Sequence, residues 1–121
     1  MGKNELFYDK LIGLLQETGQ RSTDIIAVYV LGARAEKSPF TDQWSDLDIL
    51  VYTKQPELYL ETSDFVAQFG TVWSSFVTKT ANNEWQRLTL FDGGYQVDFV
   101  IKTEREYQQQ IQRDEPPESF N

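Results

Sequence analysis

Two aspartates one residue apart, Asp46 and Asp48, stand at the head of the apolar alternation "DLDILVYT". Side chains on a strand alternate between faces with period two, so both carboxylates project from one side. Held together they repel each other and are costly to bury without a partner. A divalent cation between them removes that cost, and oxygen donors suit Mg²⁺ best. A third acid, Asp98, interrupts the apolar run "VDFVI" between Val97 and Phe99, where a lone carboxylate again needs a partner. If its strand lies beside the first, three carboxylates converge, enough negative charge for two Mg²⁺ ions carrying a nucleoside triphosphate. Upstream, the apolar "VYVLG" runs into Gly32-Ala33-Arg34. A small-residue turn entering a helix can offer backbone N–H groups to phosphate, and Arg34 can add a charge-assisted bond.

Other chemistries fit less well. An EF-hand needs a glycine and a loop after its aspartates, but Asp48 leads into Ile-Leu-Val. Phosphatases with an aspartate nucleophile put the apolar strand before Asp-x-Asp, whereas here it follows. There is no Walker glycine-lysine signature. With neither His nor Cys in 121 residues, His-based triads, thiol nucleophiles, disulfides and zinc-thiolate sites are excluded. Catalysis would have to use carboxylates, hydroxyls, amines or hard cations. The net charge of −8 argues against a non-specific nucleic-acid binder and would favour a cationic partner or divalent metals. No apolar run approaches the ~20 residues that cross a bilayer, and the amphipathic N-terminus is unlike a signal peptide. The lack of Cys agrees with a cytoplasmic setting.

The elements that must position these residues follow from periodicity. "MGKNELFYDKLIGLLQETGQ" predicts a helix with Leu6, Phe7, Leu11, Leu14 and Leu15 on one side, stopped near Gly19. "DIIAVYVLG" reads as a strand buried on both faces, and residues 33–45 as a loop. The second strand, "DLDILVYT", turns Leu47, Ile49 and Val51 one way and Asp46, Asp48 and Leu50 the other. Pro56 suits the first turn of a helix running to about Gln68, with Leu58, Leu60, Phe65, Val66 and Phe69 inward. Three further strands, "TVWSSFVTK", "EWQRLTLFD" and "YQVDFVIK", follow, the last two joined by the hairpin signal Asp92-Gly93-Gly94. Thr103 and Glu106 form a capping box on a last helix. Trp73, Trp85, Tyr95 and Phe99 are expected to pack the sheet, and Trp44 to anchor its loop. The order predicts one α/β (α+β) domain, a mixed twisted sheet of about five strands with helices packed on it.

Gly32-x-Arg34, a loop, Asp46-x-Asp48 entering a strand and Asp98 in a later strand resemble the DNA polymerase β-type nucleotidyltransferase superfamily. "VLGARAEKSPFTDQWSDLDILVY" with "LTLFDGGYQVDFVI" looks most like the streptomycin (aminoglycoside 6-) adenylyltransferase family, over about residues 24–112. The resemblance implies a nucleotidyltransferase fold, with Gly32 and Ala33 against the triphosphate and Arg34 near it. Asp46 and Asp48 would ligate two Mg²⁺ ions, and Asp98 would complete the site of the ion that activates the acceptor hydroxyl. The implied reaction is metal-dependent transfer of AMP from ATP to a hydroxyl of a small, aminoglycoside-like acceptor. Ala33 departs from the family's usual Ser, which removes one hydroxyl bond to phosphate. Residues 1–113 are expected to form the catalytic domain. Residues 114–121, with Pro116-Pro117, read as a linker toward a helical C-terminal domain, or toward a partner subunit. The alternatives are a minimal nucleotidyltransferase-type antitoxin acting on a partner protein, and a catalytically silent interaction module. In the plainest reading of single residues, Gly32 is a turn glycine and Arg34 pairs with Glu36 or Asp42.

Overall fold

The computed structural model describes residues 3–31 and 47–113. In chain order the elements are α1 (Lys3–Arg21), β1 (Ile25–Leu31), β2 (Leu47–Thr53), α2 (Glu57–Leu60), α3 (Asp64–Ala67), β3 (Val72–Lys79), β4 (Trp85–Phe91), β5 (Tyr95–Thr103) and α4 (Glu104–Arg113). The five strands form one sheet in the order β1-β2-β5-β4-β3. β1 runs antiparallel to β2, β2 parallel to β5, and β5-β4-β3 form an antiparallel meander. The mixed sheet expected from the sequence is therefore present.

Period-two alternation sorts the sheet into two faces. Leu47, Ile49 and Val51 of β2, Val97, Phe99 and Ile101 of β5, and Phe91 of β4 are buried with Tyr8, Leu11 and Leu15 of α1 and with Tyr59, Phe65, Val66 and Phe69. Asp48 and Asp98 sit on the other face, which α4 covers only at the carboxyl ends of β2 and β5. There Tyr107 meets Tyr52 edge-on, with ring centres 5.1 Å apart, and Lys102 pairs with Glu84. The Tyr52 hydroxyl is buried with no hydrogen-bond partner among the described residues. Burial, reinforced by Tyr29, Glu106 and Glu84, pushes its pKa up to about 12.

Several expectations need correction. The inward stripe of α1 is Tyr8, Leu11 and Leu15; Leu6 is exposed, and Phe7 stacks on Tyr95 at 4.2 Å. The helix passes through Gly19 and ends at Arg21, where the Ser22 N–H bonds the Thr18 carbonyl. β1 is only half-buried and Val30 is exposed, because among the described residues the strand has a single neighbour, β2. Trp73 and Trp85 are also exposed, on the outer strand β3 and at the start of β4; the Lys79 ammonium lies 4.5 Å over the Trp85 ring.

The predicted helix from Pro56 to Gln68 is two single turns, and Leu58 faces solvent. A buried arginine explains the break. Arg87 of β4 donates from Nε to the Tyr59 carbonyl (2.8 Å), from Nη2 to the Leu60 carbonyl (2.7 Å) and from Nη1 to Ser75 Oγ (2.9 Å). In a continuous helix those two carbonyls would take the N–H groups of Ser63 and Asp64. The Asp64 N–H turns instead to Thr62 Oγ1. Burial lowers the pKa of the guanidinium, which nonetheless stays charged. Two turn signals hold as read. Gly93 and Gly94 take φ of +97° and +84°, and a Cβ on Gly93 would meet the Tyr95 ring at 2.5 Å. The Thr103–Glu106 capping box is reciprocal, at 3.1 and 2.9 Å.

At the carboxyl end of β2, where β1 begins, Asp24 ties β1 to β2 and α2. Its carboxylate accepts from Ser22 Oγ (2.6 Å), Thr53 Oγ1 (2.7 Å) and the Tyr59 hydroxyl. Burial by itself would raise this carboxyl, but the three hydroxyl bonds outweigh it and hold the pKa below the ordinary value. Its partner Tyr59 is pushed far up by burial and by that bond.

Two outcomes are expected. Arg87→Met leaves the Tyr59 and Leu60 carbonyls unsatisfied and should cost about 2–4 kcal/mol in urea unfolding. Asp24 binds protons less readily folded than unfolded, so its contribution is complete above the unfolded carboxyl pKa, about 3.9, and is lost as pH falls below that. Urea midpoints measured from pH 6 to pH 3 should fall less steeply in Asp24→Asn than in the parent, from a lower starting value.

Candidate active site

The parallel pairing of β2 with β5 places Asp48 directly opposite Asp98. Residues opposite one another on neighbouring strands point to the same face, and adjacent strands lie about 4.8 Å apart. Two carboxylates from different elements therefore stand side by side, as the sequence required if they were to share a cation. Both are half-buried. Leu50, the next residue of β2 on that face, is fully buried, so the pair sits at the margin of a dry region. The row across the sheet reads Leu31, Asp48, Asp98, Leu88 and Phe76.

The surroundings of this pair differ on its two flanks. On the β1 side Leu31, the last described residue of that strand, is the register partner of Asp48, and the sequence continues into Gly32-Ala33-Arg34. On the β4–β3 side a groove of about 160 Å³ is lined by Ser74, Phe76, Leu88, Thr89, Leu90 and Gln96. It carries no formal charge, and Phe76 is exposed in it. Gln96, two residues before Asp98 on the same strand face, donates from Nε2 to Asp98 Oδ1 at 3.4 Å. The Tyr8 hydroxyl bonds the Gln96 carbonyl at 3.3 Å, which ties this part of β5 to α1.

Of the six residues singled out by sequence, Asp48 and Asp98 are brought together. Gly32, Ala33, Arg34 and Asp46 lie outside the described residues, as do Trp44 and the 114–121 segment. Among the described residues no group of three or more potential metal ligands converges. The two that do meet fit a hard divalent cation: they are oxygen donors, anionic, on one face, and placed where a shared positive charge offsets their repulsion. Gln96 and the groove were not singled out from sequence. The spacing from Gln96 to Asp98 carried the signal, since the two-residue rule applied to Asp46 and Asp48 places Gln96 beside Asp98 as well.

Two other cavities do not carry this chemistry. One of about 280 Å³ lies between α1 and β1, lined mainly by aliphatic side chains and the amides of Gln16 and Gln20. Another of about 360 Å³ borders Asp24, whose carboxylate is already committed to three hydroxyls.

The family model described as streptomycin adenylyltransferase matches residues 7–118, nearly the whole sequence. The chain belongs to the streptomycin adenylyltransferase family. Among solved structures, one similar in fold is that of an aminoglycoside 6-adenyltransferase from Bacillus subtilis, with a TM-score of 0.59 at 15% identity over 82% of this chain. The match spans only 36% of that longer protein. At such low identity the likeness speaks for the nucleotidyltransferase fold, in agreement with the family assignment. No curated protein sequence matches significantly.

Family membership and the paired aspartates together give a binding prediction. Mg²⁺ with ATP should raise the unfolding temperature of the parent, because a ligand that binds only the folded state stabilises it by mass action. In Asp48→Asn and Asp98→Asn that rise should shrink to the effect of ATP alone, as read by differential scanning fluorimetry.

Proposed function

We propose that this chain is the catalytic portion of an adenylyltransferase that moves AMP from ATP to a hydroxyl of a small, aminoglycoside-like acceptor, forming a bond from that oxygen to the α-phosphorus and releasing pyrophosphate. The observation that carries this reading is the register match of Asp48 with Asp98 on the sheet face opposite the core, in a chain of this family. Asp48 and Asp98, with Asp46 from just before β2 in the sequence, are the residues that would hold Mg²⁺. When bound, the metal would make the acceptor hydroxyl more acidic and offset charge on the attacking and leaving oxygens.

The remaining work falls to the chain's own residues. The Gly32-Ala33-Arg34 segment follows Leu31, the register partner of Asp48, in the sequence, so the triphosphate is assigned to the β1 flank. Its backbone N–H groups and the Arg34 guanidinium would take phosphate oxygens. The acceptor then approaches from the β4–β3 flank, where Phe76, Leu88 and Leu90 offer an uncharged wall. An apolar wall suits the C–H faces of a saturated ring and makes no demand on the cationic groups of an aminoglycoside. Those groups are met by the acidic surface that the net charge of −8 implies. Ala33 lacks the hydroxyl usual there, which removes one hydrogen bond to a charged phosphate, about 1.5–3 kcal/mol.

Residues 1–113 are taken as the catalytic unit, with 114–121 leading out of it toward a second domain or a partner subunit that completes the acceptor site. The matched structure's chain, of which this one spans about a third, supports that division. Cytoplasmic ATP is the matching donor pool. No helix among the described residues is long and apolar enough to cross a membrane.

The test is transfer of radiolabel from α-labelled ATP to streptomycin in the presence of Mg²⁺. Asp98→Asn should lower transfer at least 100-fold while changing the KM for ATP much less. If the parent binds Mg²⁺ and ATP but Asp98→Asn transfers as well as the parent does, the catalytic assignment is wrong.

A further inference from the structure

We infer that Gln96 is a positioning residue for the metal site, acting through Asp98; this rests on the adenylyltransferase reading above. The strand places the two side chains on one face, and the Gln96 amide reaches one carboxylate oxygen, Oδ1, at 3.4 Å. A neutral donor on one oxygen restricts the rotation of the carboxylate that would meet the cation. The chemistry of the donor matters. A Lys or Arg at this position would neutralise Asp98 and compete with the cation, whereas an amide orients the carboxylate without cancelling its charge.

The local packing explains how a flexible glutamine can hold this role. Gln96 is half-buried, its register partner is Leu90, and its own carbonyl accepts the Tyr8 hydroxyl. The strand under it is thus anchored to α1, and aliphatic groups restrict the side chain on one side. Gln96 lines the groove with Ser74, Thr89, Phe76, Leu88 and Leu90, and its amide nitrogen turns to a polar group of its own strand face. Asp98 is that group. Partners that orient a ligating carboxylate typically change metal affinity by 10- to 100-fold when removed.

The experiment measures Mn²⁺ binding to the full chain in the presence of α,β-methylene-ATP, by electron paramagnetic resonance, alongside transfer kinetics. Gln96→Met keeps the side-chain length but removes the donor. It is expected to weaken Mn²⁺ about tenfold and to lower kcat more than it raises the KM for ATP. Gln86→Met makes the same chemical change on the same sheet face without adjoining Asp98, and should bind Mn²⁺ as the parent does. Parent-like Mn²⁺ affinity in Gln96→Met, with Asp98→Asn losing the metal, would overturn the role of Gln96 and leave the active-site reading intact. An equal loss in Gln86→Met would also overturn it, by showing a general effect of the substitution. If Asp98→Asn itself retains Mn²⁺ at full affinity, the metal site and the role of Gln96 fall together.

Discussion

The register between β2 and β5 is the constraint on which the site depends. It sets two like charges side by side, at a spacing where their mutual repulsion is about 3 kcal/mol for an effective dielectric constant near 20. No fold gains stability from that arrangement alone. It persists because the strands around it are fixed by their other faces: Leu47, Ile49 and Val51 interleave with Val97, Phe99 and Ile101 over a buried core. A slip of one residue would turn every one of those side chains to the wrong side. The hydrophobic face therefore holds the carboxylate face in register.

The distribution of helices follows the same logic. α1 and the turns of α2 and α3 pack on the apolar face, and among the described residues α4 meets the carboxylate face at one end. Elsewhere on that face the register sets a row from Leu31 of β1, across the two aspartates, to the groove beside Phe76. Arg87 and Asp24 serve this arrangement indirectly. One pins α2 against β4 through its carbonyls, and the other ties the far ends of β1 and β2 together. Both place a charge in a partly dry setting and satisfy it with dipoles instead of an opposite charge.

Much of this was legible from the residues. The alternation in "DLDILVYT" and "VDFVI" separates core from site, the Asp92-Gly93-Gly94 turn fixes the β4–β5 hairpin, and the capping box starts α4. The misreadings came from contacts distant in sequence. Leu58 looked like the inward face of a long helix, but the carbonyls that would have continued it are taken by Arg87, 27 and 28 residues away. β1 read as doubly buried because its residues are apolar; its place at the edge of the sheet is a property of strand order, which no local pattern encodes. Trp73, expected inside for its size, lies exposed on the outer strand β3, and Trp85 lies exposed at the start of β4.

By itself, the sequence determined which residue types are available for chemistry, which strand faces they occupy, and that a hard cation is the natural partner of the acids. Those are local properties, set by side-chain identity and a period of two. Tertiary structure alone decided that β5 runs beside β2 and parallel to it, so that position 98 meets position 48 and brings Gln96 alongside. Strand pairing between segments fifty residues apart is chosen by how the whole core packs, and that choice turns two separate carboxylates into one site.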